Sequence, residues 1–220
     1  MLTLKKTIIF GLLLLVGGNA YTFDLSDVRV GVRGGVNLNN AIDHPADPSQ
    51  ITGYCVGALF NYKLMGNLSL QLNLLATDRG FVMEDTTIGQ VTYDSTIHAY
   101  DTTYFQGDVE QLYNYLELPL LLKYSVPATP KFHPYILGGP YLAFKFREII
   151  RVSNAGVSID IDSKLGRDID YGFIGGAGMD IKFGKGWFFI EGRYDRSMRK
   201  TMLNGDYYLQ SISFQAGYMF

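Results

Sequence analysis

A single cysteine, Cys55, occurs in 220 residues, so no internal disulfide can staple the chain. It alternates with apolar neighbours and is expected to fill interior space. An excess of one charge is also lacking. The 19 Lys and Arg nearly balance the 21 Asp and Glu, and a formal charge of −2 offers no field for a nucleic acid. Of the three histidines, His44 and His98 fall in polar stretches and His133 lies beside a short turn. No nucleophile–base pairing is readable from them, so catalysis is not expected. No metal or cofactor is implied either. Long apolar runs are missing too, since none reaches the about 20 residues of a membrane helix. The longest, Ile8 to Val16, is broken only by Gly11, follows Lys5 and Lys6, and precedes the small residues of Gly18-Asn19-Ala20. This pattern predicts a secretory signal peptide over 1–20, cleaved after Ala20. No cysteine near that site suggests a lipoprotein. Residues 21–220 then form one domain.

Alternation fills the space these absences leave. In the last stretch, YLQSISFQAGYMF, residues Ile212, Phe214, Ala216, Tyr218 and Phe220 form one face and Ser211, Ser213, Gln215 and Gly217 the other. Strict period two means a strand with one apolar and one polar face. The same pattern predicts strands over 29–38, 53–64, 68–76, 112–124, 134–147, 169–183 and 187–196. On the third of these, Leu68, Leu70, Leu72 and Leu74 oppose Ser69, Gln71 and Asn73. On the fourth, Leu116, Leu118, Leu120 and Leu122 oppose Tyr115, Glu117, Pro119 and Lys123. On the fifth, Lys145 and Arg147 are expected to point inward. Tyr and Phe, 16 and 14 in number, crowd these segments.

The connections have a rhythm. Short turns fall at 65–67, 127–131 and 184–186, while 39–52, 77–111, 149–168 and 197–206 are long and polar. The segment 77–111 carries Asp78, Glu84, Asp85, Asp94, Asp101, Asp108 and Glu110 around Arg79 alone. The D-x-D-x-D spacing of a calcium loop is absent there, so a solvated acidic loop is expected, its last part extending the neighbouring strands. A hairpin is expected around Asn154-Ala155-Gly156. Eight strands, an apolar outer face and loops long at one end only predict an all-β, eight-stranded antiparallel up-and-down transmembrane barrel, with short periplasmic turns and long extracellular loops. The location that follows is the outer membrane of a diderm bacterium.

Four stretches together, NYLELPLLLKY, PYILGGPYLAF, DYGFIGGAGMDIKFGKGWFFIEGRYDRSM and SISFQAGYMF, resemble the PorT-like outer-membrane β-barrel family, often labelled "porin family". VGVRGGVNLNN is similar to that family's first strand. The chain departs at Asn73, where such proteins often carry an acidic residue. Bacterial outer-membrane barrels end on an aromatic residue, and the resemblance implies that Phe220, with Tyr218, forms a signal read by the barrel-assembly machinery.

An eight-stranded lumen is just wide enough for side chains to fill, and charges inside it must pair or be hydrated. The inward candidates are Arg29, Arg33, Glu117, Lys123, Asp180, Glu191, Arg193 and Asp195, with Lys63, Lys145, Arg147 and Asp170 beside them. Their mixed signs predict a salt-bridged core, the rival being a selectivity region. Gly172, Gly176 and Gly178 share one inward face, and the turn at 184–186 puts Arg193 beside Gly176 or Gly178. Arg196, Arg199 and Lys200 lie at the outer rim, where lipopolysaccharide phosphates would meet charge-assisted bonds. The functional reading is a closed structural or interaction barrel in outer-membrane lipid, with its loops open to a protein partner. The alternatives are a narrow porin-like channel or transporter, and a lipid-modifying enzyme.

Overall fold

The computed structural model describes residues 28–45, 47–94, 99–126, 128–154, 157–163, 166–201 and 207–220. The expected signal peptide and His98 lie outside them. Nine strands occur among these residues: β1 (Val28–Ile42), β2 (Ile51–Met65), β3 (Leu68–Asp94), β4 (Ala99–Ser125), β5 (Phe132–Asn154), β6 (Val157–Asp162), β7 (Ile169–Phe183), β8 (Gly186–Ser197) and β9 (Tyr208–Met219). All pairings are antiparallel. The sheet order runs β4-β3-β2-β1-β9-β8-β7-β5, and a β4–β5 ladder closes it. That ring is the expected eight-stranded barrel. Closure gives every strand two partners, which lipid demands because it offers backbone groups no hydrogen bonds. Among the described residues the ninth strand, β6, pairs only with the far end of β5, from Ile149↔Asp162 to Asn154↔Val157, which is the expected hairpin.

Short turns follow from residues that accept unusual backbone. Gly66 and Gly184 stand at φ 51° and 61°, a region costly for residues with a Cβ. They tie β2 to β3 and β7 to β8. At the opposite end the strands outrun the barrel. The sequence reading of 77–111 as a loop is corrected here: β3 and β4 stay paired from Thr77↔Tyr115 up to Asp94↔Ala99. Alternation fades there because a ribbon that has left the bilayer is wet on both faces and needs no apolar side.

A second correction concerns Arg147. Tyr115 faces Lys145, but the next pair is Asn114↔Arg147. Phe146 is therefore an extra residue, and such a bulge reverses the phase of the strand beyond it. Lys145 points inward as expected. Arg147 points outward to Asp162, and Glu148 takes the buried position.

Elsewhere the faces divide as the alternation predicts. Val32, Val36, Tyr54, Val56, Leu120, Leu122, Ile136, Phe173, Ile190 and Phe214 are exposed on the outer wall, while Asn37, Gln71, Asn73, Ser211, Ser213 and Gln215 are buried inside. Cys55 is buried, paired in register with Gly35 and Thr77. An apolar side chain exposed on the wall meets lipid; one on β6 meets water. Phe214 and Ile159 are equally exposed, at 59% and 60%, yet should respond differently to charge. Phe214→Arg is expected to destabilise the barrel by about 2–4 kcal/mol in urea titrations from phospholipid vesicles, and Ile159→Arg to leave the midpoint near wild type. Equal effects would place the bilayer boundary wrongly.

Candidate functional site

Inward positions of eight strands converge on one axis, and three tiers of buried charge fill it. Nearest the short turns, Lys123 of β4 donates to both carboxylate oxygens of Asp180 on β7, at 2.9 and 2.7 Å. Its ammonium lies 3.6 Å from the centre of the Tyr135 ring. In the middle tier Glu191 of β8 accepts from Arg33 of β1 at 2.6 Å, from Arg193, and from the Tyr135 hydroxyl at 2.7 Å. Arg33 also donates to Gln215 (2.8 Å) and to Asn73 (3.1 Å), so the Asn73 amide serves as a neutral acceptor. Turned so that its oxygen faces the guanidiniums, Gln71 accepts from Arg33 and Arg193 at 3.1 and 3.2 Å.

The third tier is built on Arg79 of β3. Its guanidinium donates to Glu117 and to the Tyr141 hydroxyl (2.9 Å), and lies 3.5 Å from Asp195 and 3.7 Å from Asp170. Tyr141 in turn donates to Asp170 at 3.0 Å, and Ser197 donates to the same carboxylate. Arg79 also stacks on Tyr141, 4.6 Å from the ring centre. One cation among three carboxylates, all buried, is a costly arrangement unless every contact is kept. Above it Lys145 donates to Glu148 and to the Gly166 carbonyl, and the Tyr113 and Tyr207 hydroxyls share a hydrogen bond of 3.0 Å. The loop after β1 folds over this end: Ser49 bridges Val82, and His44 packs between Phe81 and Tyr207 with ring centres 5.1 and 4.8 Å away. Burial between those rings lowers the affinity of His44 for a proton.

Glycine makes the room. A Cβ at Gly176 would stand 2.6 Å from the Gly192 carbonyl and 3.1 Å from Arg193 Cγ; at Gly178 it would meet the Tyr135 ring at 2.6 Å. The register pairs Gly176 with Arg193.

The structure thus places Arg33, Glu191 and Arg193 in one cluster, Lys123 and Asp180 in a pair, and Glu117 and Asp195 around Arg79. Arg29 stands apart and exposed, 5.4 Å over the Trp187 ring at the short-turn mouth, and Lys63 is exposed at the same end. Arg196 is exposed on the outer wall, Arg199 donates to the Ile169 carbonyl at 3.0 Å, and Lys200 is exposed. Tyr218 donates to the Phe183 carbonyl and packs edge-on against Phe220 at 5.2 Å. Sequence reasoning missed Arg79, assigning it to a solvated loop. The signal was present: the inward series Gln71, Asn73, Leu75, Thr77, Arg79, Phe81 keeps period two without a break.

Beyond the mouth, β3, β4, β5 and β6 continue as a projecting sheet. Cross-strand partners put Met83, Val109, Val152 and Ile159 in one row on the face continuous with the lumen. Val157, Ile159 and Ile161 are exposed there. On the other face Arg151 bridges Glu110 (3.2 Å) and Asp160 (2.7 Å). Hydrogen bonding to Arg151 holds the Asp160 carboxyl below its ordinary value. No group of His, Cys, Asp and Glu among the described residues is arranged to hold a metal.

The family model for the outer membrane protein beta-barrel domain matches residues 19–202. The chain belongs to this family. It is an outer-membrane protein, and its short turns accordingly face the periplasm and its projecting sheet the exterior. Among solved structures it is similar to Ail, the attachment invasion locus protein of Yersinia pestis, in complex with the heparin analogue sucrose octasulfate: 13% identity, TM-score 0.44, covering 88% of this chain and 99% of that one. Neisserial surface protein A matches at 10% identity and TM-score 0.43, covering 86% and 95%. The N-terminal barrel domain of Pseudomonas aeruginosa OprF matches at 14% and 0.30, covering 86% and 97%. No curated protein matches the sequence.

Removing one partner from a buried ion cluster strands the others, at about 3–5 kcal/mol. Arg79→Met is therefore expected to lower the unfolding free energy obtained from urea titration of the folded barrel by an amount in that range. Arg147→Met, which breaks an exposed pair, should change it little. The Arg151–Asp160 contact predicts a local pH dependence. Because Asp160 is held below its unfolded value, its contribution is complete above the ordinary carboxylate range and is lost as pH falls through the lowered value. The protection of the β6 amides against hydrogen exchange should thus fall only in acid, and Asp160→Asn should abolish that pH dependence.

Proposed function

We propose that this PorT-like member of the family is a closed structural and interaction barrel, presenting its projecting extracellular sheet to a protein partner. The observation that supports the reading is the filled lumen: among the described residues three tiers of buried ion pairs and tyrosines occupy its axis, with His44, Phe81 and Tyr207 packed together at the extracellular end. A barrel filled in this way works through its outside. Among the described residues β6 pairs with β5 alone, so its outer edge is a row of backbone donors and acceptors open to an added strand. Val157, Ile159 and Ile161 on one face, with Asp160 and Asp162 on the other, suit an extended segment alternating apolar and basic residues.

The remaining roles are proposals of the same kind. Arg196, Arg199 and Lys200 stand where lipopolysaccharide phosphates would lie, and Tyr218 with Phe220 offers the barrel-assembly machinery an aromatic pair at the periplasmic edge. The salt-bridged core serves to hold the barrel shut. The test against the channel reading is electrical: the purified barrel in planar bilayers is expected to give no stable ohmic steps at moderate voltage. Regular steps that change with Glu117→Gln or Arg193→Gln would establish a pore and overturn the closed reading.

A further inference from the structure

Among the described residues, the periplasmic mouth carries an imbalance of charge that the lumen above it does not. A cavity of about 200 Å3 opens there, lined by Arg29, Lys63, Lys123, His133 and Asp180 together with polar residues of the short turns. Asp180 is its one carboxylate, and Lys123 already occupies both of its oxygens. Arg29 and Lys63 enter no ion pair among the described residues, although nearly every cation of the lumen does. The turns that rim the mouth, Met65-Gly66-Asn67, 128–131 and Gly184-Lys185, contain no acid to neutralise them. Lys182 adds to the excess, lying 5.1 Å over Trp187 on a ring that Arg29 also covers, while His133 stacks on it at 4.6 Å.

Uncompensated cations at the edge of a low-dielectric wall set up a field that concentrates anions. Their chemistry narrows the choice. Arg29 offers a planar fork of N–H donors and Lys63 a mobile point charge, a combination suited to phosphate oxygens. Asn61, Ser69 and Ser125 supply neutral donors on the remaining walls, so an anion inside would be met from several directions, as a tetrahedral group requires. We propose that the periplasmic mouth is a binding site for a phosphate ester, with Arg29 and Lys63 as its charged contacts. The ester is either a small free phosphate ester or the headgroup of an anionic phospholipid in the inner leaflet. This proposal is independent of the extracellular sheet and of whether the lumen conducts.

Trp187 is the sole tryptophan and sits against Arg29, so its emission reports on the site. Full-length mature barrel in zwitterionic micelles would be titrated with glycerol 3-phosphate, against sodium chloride of equal ionic strength. A saturable change with the ester alone is expected. Lys63→Gln, at an exposed position that enters no ion pair among the described residues, should weaken the apparent affinity about tenfold, the scale of one lost charge-assisted bond. Arg29→Gln should do the same from an altered baseline. In phosphatidylcholine nanodiscs, adding phosphatidylglycerol should reproduce the change and block the free ester if the source is the lipid. A response only to the free ester identifies a soluble ligand. The proposal is overturned if neither arm saturates, if chloride acts equally, or if Lys63→Gln binds like the wild type.

Discussion

The interior of this barrel depends on one buried guanidinium. Arg79 reaches Glu117, Asp170 and Asp195, which arrive from β4, β7 and β8, and so ties strands on opposite walls through a single side chain. Three carboxylates brought together without it would repel one another in a medium that screens charge weakly. The tyrosines follow from the same need. Tyr135 and Tyr141 each carry an aromatic body that fills the lumen and a hydroxyl that satisfies a carboxylate, so bulk and polarity come from one residue. The glycines of β7 are the complementary feature, since a wall without side chains leaves the space the opposite residues occupy.

The outer face answers to a different solvent. In lipid, backbone satisfaction is absolute and side chains are merely apolar; in the lumen the backbone is already paired, and the demand falls on the buried polar side chains. Each strand obeys both rules at once, on alternate residues. Past the bilayer neither rule holds, and the sheet of β3 to β6 carries apolar residues on one face and an ion-pair ladder on the other with water on both.

These two regimes explain what was legible in the sequence. Where one face met lipid and the other the lumen, alternation identified the strand, its phase and its inward residues, and the extents of β7 and β9 came out within a residue of those read. Register was legible only to within two alternatives where a tight turn limited it, as for Arg193 beside Gly176 or Gly178, of which the structure has Gly176. The partners of Arg79 were not legible, because Glu117, Asp170 and Asp195 lie 38, 91 and 116 positions away and no local pattern encodes which strands face one another across a barrel. The β3–β4 extension was read only for the last part of 77–111, because composition there resembles a loop once the lipid face is gone. Arg147 was misplaced by one bulged residue, which no alternation count can detect.

Cys55 gives the closed lumen a practical meaning. It is the only thiol in the chain, and in the folded barrel it is buried between Gly35 and Thr77. The same thiol is bare in any chain still waiting in the periplasm. Covalent labelling of intact cells with a water-soluble maleimide would therefore count only unassembled molecules, and the fraction that escapes labelling would be a census of completed barrels taken without extracting a single one from its membrane.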